Sequence, residues 1–207
     1  MKNRYIGLNT IFGINGVGKD TVAEALRQRN PEIKVVSGSR LLMYLLGIAE
    51  SYDVRERVSE YQYKILEQTS QSIKVHVMEN EYRQQLEKMS KDGENVILLA
   101  HLVTAFRHGS KIQYLKERPL PTWHAEINTN LIQLVAPAIL ISERRKTDAT
   151  RHRQTSVAQI IKHQALCDKE WGRIELLGPC IKDKMHTVKN IDLETAVKEV
   201  ESIVYGC

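Results

Sequence analysis

One segment constrains this chain more than any other: Gly13-Ile14-Asn15-Gly16-Val17-Gly18-Lys19-Asp20-Thr21. It contains G-x-x-x-x-G-K with an additional internal glycine. Glycines let the backbone curl so tightly that successive N–H groups point at one place. A helix starting directly behind the loop aims its N-terminus at that place. Lys19 adds a full positive charge that can reach the β- and γ-phosphates of a nucleotide. The flanks agree. Residues 5–14 are apolar and end in glycines, which predicts a buried strand running into a loop. Residues 20–30 predict a helix with Val22, Ala23 and Leu26 inward and Pro31 as its stop. The alternative is a glycine-rich strand-to-helix turn that holds no ligand. Gly13, Asn15, Gly16, Val17, Gly18, Lys19, Asp20 and Thr21 are therefore the candidate ATP-binding residues. After the lysine the motif expects Ser or Thr, whose hydroxyl touches magnesium. Here Asp20 and then Thr21 follow, and both are candidate metal contacts through magnesium's waters. Asp20 alternatively caps the helix or faces away. Its carboxylate suits a helix N-terminus but repels a nearby phosphate unless a cation intervenes.

The rest of the chain alternates strand and helix patterns. Residues 33–37 are a second short strand. Residues 39–92 hold no proline and one glycine, Gly47, and predict two to four helices. Val54, Val58, Tyr61 and Ile65 step by four, three and four, and Val77, Met78, Tyr82, Leu86 and Met89 continue the pattern. Residues 95–100 are almost continuously apolar and fit a strand buried on both faces. Residues 107–123, with Pro119 and Pro121, predict an irregular loop. Residues 123–134 predict a helix, and residues 138–142, after Pro137, another buried strand. Ser156 with Gln159 has a capping-box pattern that opens a helix over 156–177, which Gly178-Pro179 ends. A last strand falls within 180–189. A last helix runs from about 193 to 205, with Ala196, Val197, Val200 and Val204 on one face and Gly206 at its end. Strands alternating with helices imply a parallel sheet covered on both faces.

At 207 residues, 42% of them hydrophobic and 27% charged, the chain fits one globular domain. No run approaches the roughly 18 apolar residues of a membrane span. No secretory leader is read at the start. Three scattered cysteines argue against a disulfide set or metal knuckle and fit a cytoplasmic, reducing compartment. The net charge of +5 points to anionic partners.

On these motifs the chain resembles the adenylate kinase-like nucleoside monophosphate kinases of the P-loop kinase superfamily, most closely the archaeal-type adenylate kinases. Their loop has a G-x-x-G-x-G-K-x-T form, to which Asp20-Thr21 conforms. Further matches are Val96 to Ala100 followed by His101, Tyr114-Leu115, Leu120-Pro121-Thr122-Trp123, and Asp148-Ala149-Thr150-Arg151-His152-Arg153, similar to an Asp-x-Thr-Arg-x-Arg lid. Ile160-Ile161-Lys162-His163 and Val188-Lys189-Asn190 extend the similarity. The resemblance implies an α/β, three-layer P-loop NTPase fold: a five-stranded parallel sheet with helices on both faces and a helical acceptor-binding insertion. Residues 1–207 then form a single P-loop kinase domain, with a helical acceptor-binding lobe over 39–94 and a lid over 143–155. It implies ATP with Mg2+ as cofactor, a nucleoside monophosphate (AMP first) as acceptor, and a trimeric relative. The chain departs from the family in three places. The aspartate that ends the family's third strand is replaced by Leu98-Leu99-Ala100-His101. A loop proline common in these kinases is Asn15. The helix between fourth strand and lid is shortened to residues 143–147.

Residues 143–153 carry Arg144, Arg145, Lys146, Arg151 and Arg153 against Glu143 and Asp148, so three of the five net positive charges lie there. Arginine's planar fork grips two phosphate oxygens. Lys19, Arg151 and Arg153 are the catalytic candidates, since phosphoryl transfer needs alignment and cations more than covalent chemistry. Ser37 and Arg40, in Ser37-Gly38-Ser39-Arg40, and His101 are the acceptor-side candidates. A helix N-cap with a surface arginine is the plainer reading of the serines. His124-Ala125-Glu126 lacks the cysteine partner of a zinc deaminase. Trp171, Tyr61 and Tyr82 read as core. No Lys/Arg stripe interleaved with aromatics argues for nucleic acid. Two further readings stand beside the leading one: a P-loop kinase for another small metabolite or a polynucleotide 5′ end, and a non-catalytic ATP-binding switch with a degraded metal site.

Overall fold

The computed structural model describes residues 6–54, 58–108, 111–116, 122–147 and 156–206. The chain begins with β1 (Leu8–Phe12), α1 (Lys19–Arg29) and β2 (Lys34–Ser37). Then come the helices α2 (Gly38–Leu45), α3 (Glu60–Gln68), α4 (Gln71–Val77) and, after a π turn over Met78–Tyr82, α5 (Arg83–Lys91). After β3 (Val96–Ala100) the strands β4 (Val103–His108) and β5 (Lys111–Lys116) form a separate antiparallel hairpin. The remainder runs α6 (Thr122–Ile127), β6 (Asn130–Val135), α7 (Ala138–Thr147), α8 (Val157–Glu175), α9 (Pro179–Lys182), β7 (Met185–Lys189) and α10 (Leu193–Tyr205).

Five strands form one parallel sheet in the order β2-β3-β1-β6-β7, with helices on both sides. This is the expected α/β architecture. The central strand β1 is buried throughout, because a parallel sheet covered on both faces leaves no strand side for water. Its two polar residues are satisfied: Asn9 donates to the Ile6 carbonyl at 2.9 Å, and Thr10 Oγ1 donates to Asn128 Oδ1 at 2.7 Å. The larger apolar cluster joins the sheet to α1, α8 and α10; Phe12 lies 5.9 Å from the Trp171 ring. A smaller cluster gathers Leu41, Tyr82, Leu86 and Trp123 against Leu8 and Leu98. Trp171 and Tyr82 are core residues as expected. Tyr61 is not: it is 72% exposed, on a helix with no buried residue. Of the helical spacing read from Val54, the helix that begins at Glu60 carries Tyr61 and Ile65, behind a capping box of Ser59 and Gln62, while Val54 and Val58 lie outside it.

Three expectations fail in ways that matter for the site. Residues 138–142 are not a strand but the first half of the ten-residue helix α7. Pro137 starts it, accepting from the Ile141 amide at 3.1 Å and needing no N–H of its own there. The fourth strand of the sheet is instead β6, inside the stretch read as one helix. Asn128 breaks that helix after Ile127 by donating to the His124 carbonyl at 2.7 Å. The helix before the lid is therefore not shortened. Residues 107–123 are not simply a loop either, since they include most of the hairpin; residues 117–121 lie outside the described residues. At the head of α8, Ser156 takes the N-cap position without a side-chain cap bond.

Candidate phosphate-binding site

The parallel register brings the C-terminal ends of the strands to one edge of the sheet, where open α/β folds place their ligands. Phe12 pairs with Ala100, so Gly13 and His101 leave their strands at the same level. The loop then runs directly into α1. The first intrahelical bond is Val22 N–H to the Gly18 carbonyl at 3.0 Å. The amides of Lys19, Asp20 and Thr21 precede any acceptor one turn back, which is how a helix start presents N–H groups to an anion. Lys19 is 6% exposed, and its Nζ donates to the carbonyls of Gly13 at 2.6 Å and Ile14 at 3.3 Å. The ammonium is thus folded over the loop. Asp20 and Thr21 are both exposed in the first turn.

Two arginines of α7 reach the loop. In that helix Ile141 and Arg145 are one turn apart and both buried, so the face that anchors α7 also points a guanidinium inward. Arg145 Nε and Nη2 donate to the Asn15 carbonyl at 2.9 and 2.6 Å. Its stem lies on Gly16, where a Cβ would stand 2.9 Å from Arg145 Cγ. Arg144 donates to the Val17 carbonyl at 3.1 Å and to the Asn190 carbonyl at 3.2 Å, and burial lowers its pKa. Asn190 follows β7 and donates from Nδ2 to the same Val17 carbonyl at 2.7 Å. Gly18 has φ +98 and lies so close to the Asn190 amide that a Cβ would collide with it.

His163 of α8 packs beneath this group, with Nε2 2.7 Å from the Val103 carbonyl at the start of the hairpin. Burial is the main force lowering its pKa, with the Val103 hydrogen bond opposing and the charges of Arg145 and Lys19 adding. His124 lies in the core, 3.2 Å from Thr10 Oγ1, and burial holds it at about 4. No cluster of three His, Cys, Asp or Glu side chains suited to a metal occurs among the described residues.

Among the residues expected on an acceptor side, Ser37 occupies the N-cap position of α2 without a cap bond, its hydroxyl 3.2 Å from that of Ser39. Arg40 donates to the Asp53 carbonyl at 2.8 Å, and Asp53 bridges to Val36 at the sheet edge. A polar cavity of about 360 Å³ opens here, lined by Arg40, Ile48, Glu50, Ser51, Val58 and Gln62 among others. His101 is half-buried at the end of β3. No carboxylate stands among Leu98, Leu99, Ala100 and His101. Arg151, Arg153 and Asp148 lie outside the described residues, as does most of the lid region; residues 143–147 belong to α7.

The loop residues are thus together, and Arg144, Arg145 and Asn190 join them. From sequence the two arginines are among the cations of 143–153, Arg151 and Arg153 are the catalytic candidates, and Asn190 has no role. Helical spacing from Ile141 to Arg145 was the available signal, hidden by reading 138–142 as a strand.

The sequence matches no family model and no curated protein. Solved structures do match. A shikimate kinase from Acinetobacter baumannii in complex with shikimate is similar at TM-score 0.54 and 10% identity, over 97% of this chain and 93% of that one. A gluconokinase from Sinorhizobium meliloti is similar at 0.51 and 11%, over 98% and 93%. A sugar kinase from Janibacter is similar at 0.51 and 11%, over 96% and 94%. At this identity the likeness is one of fold alone.

Proposed function

We propose that this chain is an ATP-dependent phosphotransferase for a small acceptor. The observation that carries the proposal is the loop of residues 13–21, set between a buried strand and a helix start, with Lys19, Arg144 and Arg145 converging on it. The loop amides and Lys19 hold the donor phosphates. Arg151 and Arg153, proposed from the sequence pattern, close over the transferring group. Arginine and lysine neutralise the charge that spreads over the phosphoryl oxygens as it moves. Magnesium bound with the nucleotide would supply further charge neutralisation. The oxygen donors suited to its hydration shell are Asp20 and Thr21, both exposed in the first turn of α1.

The acceptor side extends from Ser37 and Arg40 to His101, within the helical lobe over residues 39–94. A nucleoside monophosphate, AMP first, is the acceptor suggested by the sequence pattern. Polar hydroxy acids such as shikimate and gluconate are the alternatives suggested by the kinases of similar fold. The decisive experiment is ADP formation from ATP across AMP, GMP, CMP, UMP, their deoxy forms, gluconate and shikimate. Turnover with a monophosphate supports the first acceptor class, and turnover with a hydroxy acid replaces it. ATP binding without product from any acceptor favours a nucleotide-binding switch. The specific observation behind that second reading is the missing carboxylate at the end of β3.

A further inference from the structure

We propose that the cavity between α8 and the β6–β7 edge of the sheet binds a small aliphatic ammonium ion. Register sets Phe12, Gln133 and Thr187 side by side on β1, β6 and β7, so their side chains share one face of the sheet. Over Phe12 that face is closed by Trp171 of α8. Toward the edge strand β7 it is open, and a cavity of about 480 Å³ remains there. Its wall on α8 includes Ile161, Gln164 and Asp168, at steps of three and four along one helix face. Its floor on the sheet is Gln133, Val135 and Thr187. No residue of the phosphate loop or of α7 lines it, so the inference does not depend on the nucleotide reading.

The hydrogen bonds decide the chemistry. Gln133 Nε2 donates to Asp168 Oδ1 at 2.7 Å, and Gln164 Nε2 donates to the Ala136 carbonyl at 2.7 Å. Reversing either amide would set two acceptors against each other, so both nitrogens are committed to the protein. Gln133 is 4% exposed. Its Oε1 meets no donor among the described residues, yet it is not one of the fully enclosed unpartnered atoms, so it opens on the cavity. A buried carbonyl oxygen in that position calls for a donor. Asp168 adds a negative charge at the exposed mouth, and Thr187 a hydroxyl. No lysine, arginine or histidine lines the cavity. Amide oxygen, carboxylate and hydroxyl together suit a cation that donates hydrogen bonds and repel an anion. An ammonium group carries three such donors. One carboxylate falls short of the oxygen cage that a calcium ion takes, and magnesium dehydrates reluctantly. Val135 and Ile161, the latter 55% exposed, offer the alkyl part an apolar wall.

The test is a titration of the full chain with butylamine, protonated at neutral pH, and with 1-butanol as its neutral counterpart. The readout is the side-chain amide signals of Gln133 and Gln164 in proton–nitrogen correlation spectra. Butylammonium is expected to shift both signals saturably, and butanol to bind about tenfold more weakly. No saturable shift at these two side chains overturns the proposal. Equal binding of butanol also overturns it, because the cavity is then only an apolar slot. Displacement of butylammonium by an equal concentration of magnesium chloride would overturn the ammonium class in favour of a general cation site. Asp168→Asn keeps an oxygen for Gln133 and removes the charge, so butylammonium should bind about fivefold more weakly. Unchanged affinity in that variant, with cooperative thermal unfolding intact, counts against the proposal as well. Should the variant not fold, the comparison of butylammonium with butanol on the unaltered chain decides.

Discussion

Arg145 grips the carbonyl oxygen of Asn15 with two donors, Nε at 2.9 Å and Nη2 at 2.6 Å. The two residues are 130 positions apart, and the contact ties the C-terminal half of α7 to the phosphate loop. The position of α7 is therefore tied to that of the loop. The segment that leaves α7 after Thr147 is the one with the Arg-x-Arg pattern.

Arg145→Ala is expected to lower stability by about 2 kcal/mol, since it strips the half-buried Asn15 carbonyl of a charged partner. Arg145→Lys should recover less than half of that, because lysine has no planar fork. Urea denaturation with an unchanged m-value measures both. A loss below about 0.5 kcal/mol for the alanine variant would show that the clamp holds nothing.

Lys19→Ala is expected to reduce phosphotransfer by about 100-fold or more, as removal of one donor to a developing charge does elsewhere. Far-ultraviolet circular dichroism should be unchanged. Activity within threefold of the parent would remove Lys19 from the chemistry.

Gly18→Ala introduces a Cβ at φ +98 against the Asn190 amide. The expected loss is about 2–3 kcal/mol, from backbone strain and collision together. Adding Asn190→Ala relieves the collision and leaves the strain, so the double variant should lose less than the sum of the singles. Additive losses in a thermodynamic cycle would contradict this account.

Stability should fall between about pH 6.5 and pH 4, ahead of ordinary carboxylate titration. Burial holds His124 at about 4 in the folded chain, below its unfolded value of 6.5. The unfolded state therefore binds more protons in that window, so stability rises with pH across it and is lost as pH falls. The size is about 3 kcal/mol at most. His163, also lowered chiefly by burial, acts in the same direction. Glu87 and Asp192, lowered by their hydrogen bonds to Arg83 and Thr195, lose their contribution only at lower pH. Thermal midpoints from pH 4 to 7 test this, with His124→Asn expected to flatten the slope. An unchanged slope in that variant would place the proton elsewhere.

Much was legible in residue order alone. The glycine loop, the strand before it and the helix behind it depend on local rules: glycine freedom, a buried apolar run, and 3.6-residue spacing of Val22, Ala23 and Leu26. The last helix was equally readable from the apolar face of Ala196, Val197, Val200 and Val204 and from Gly206 at its end; the structure adds Asp192 as its N-cap. Two short apolar runs were not readable in this way, whereas residues 95–100, read as a buried strand, contain β3. Leu131–Val135 and Ala138–Ser142 have similar composition, and short runs carry no period that separates strand from helix. Tertiary context decided between them: Asn128 ended one helix on His124, and Pro137 began the next.

The same division holds for the site. Sequence by itself determined the glycine-rich loop proposed to cradle phosphate, since its pattern lies within nine consecutive residues. Only the tertiary structure decided which distant side chains complete it. Arg144, Arg145 and Asn190 reach the loop because β6 lies beside β1 and β7 beside β6 and because α7 turns one buried face toward the sheet. Contacts across more than a hundred residues leave no local period or spacing to read, so they exist as information only once the strands are in order.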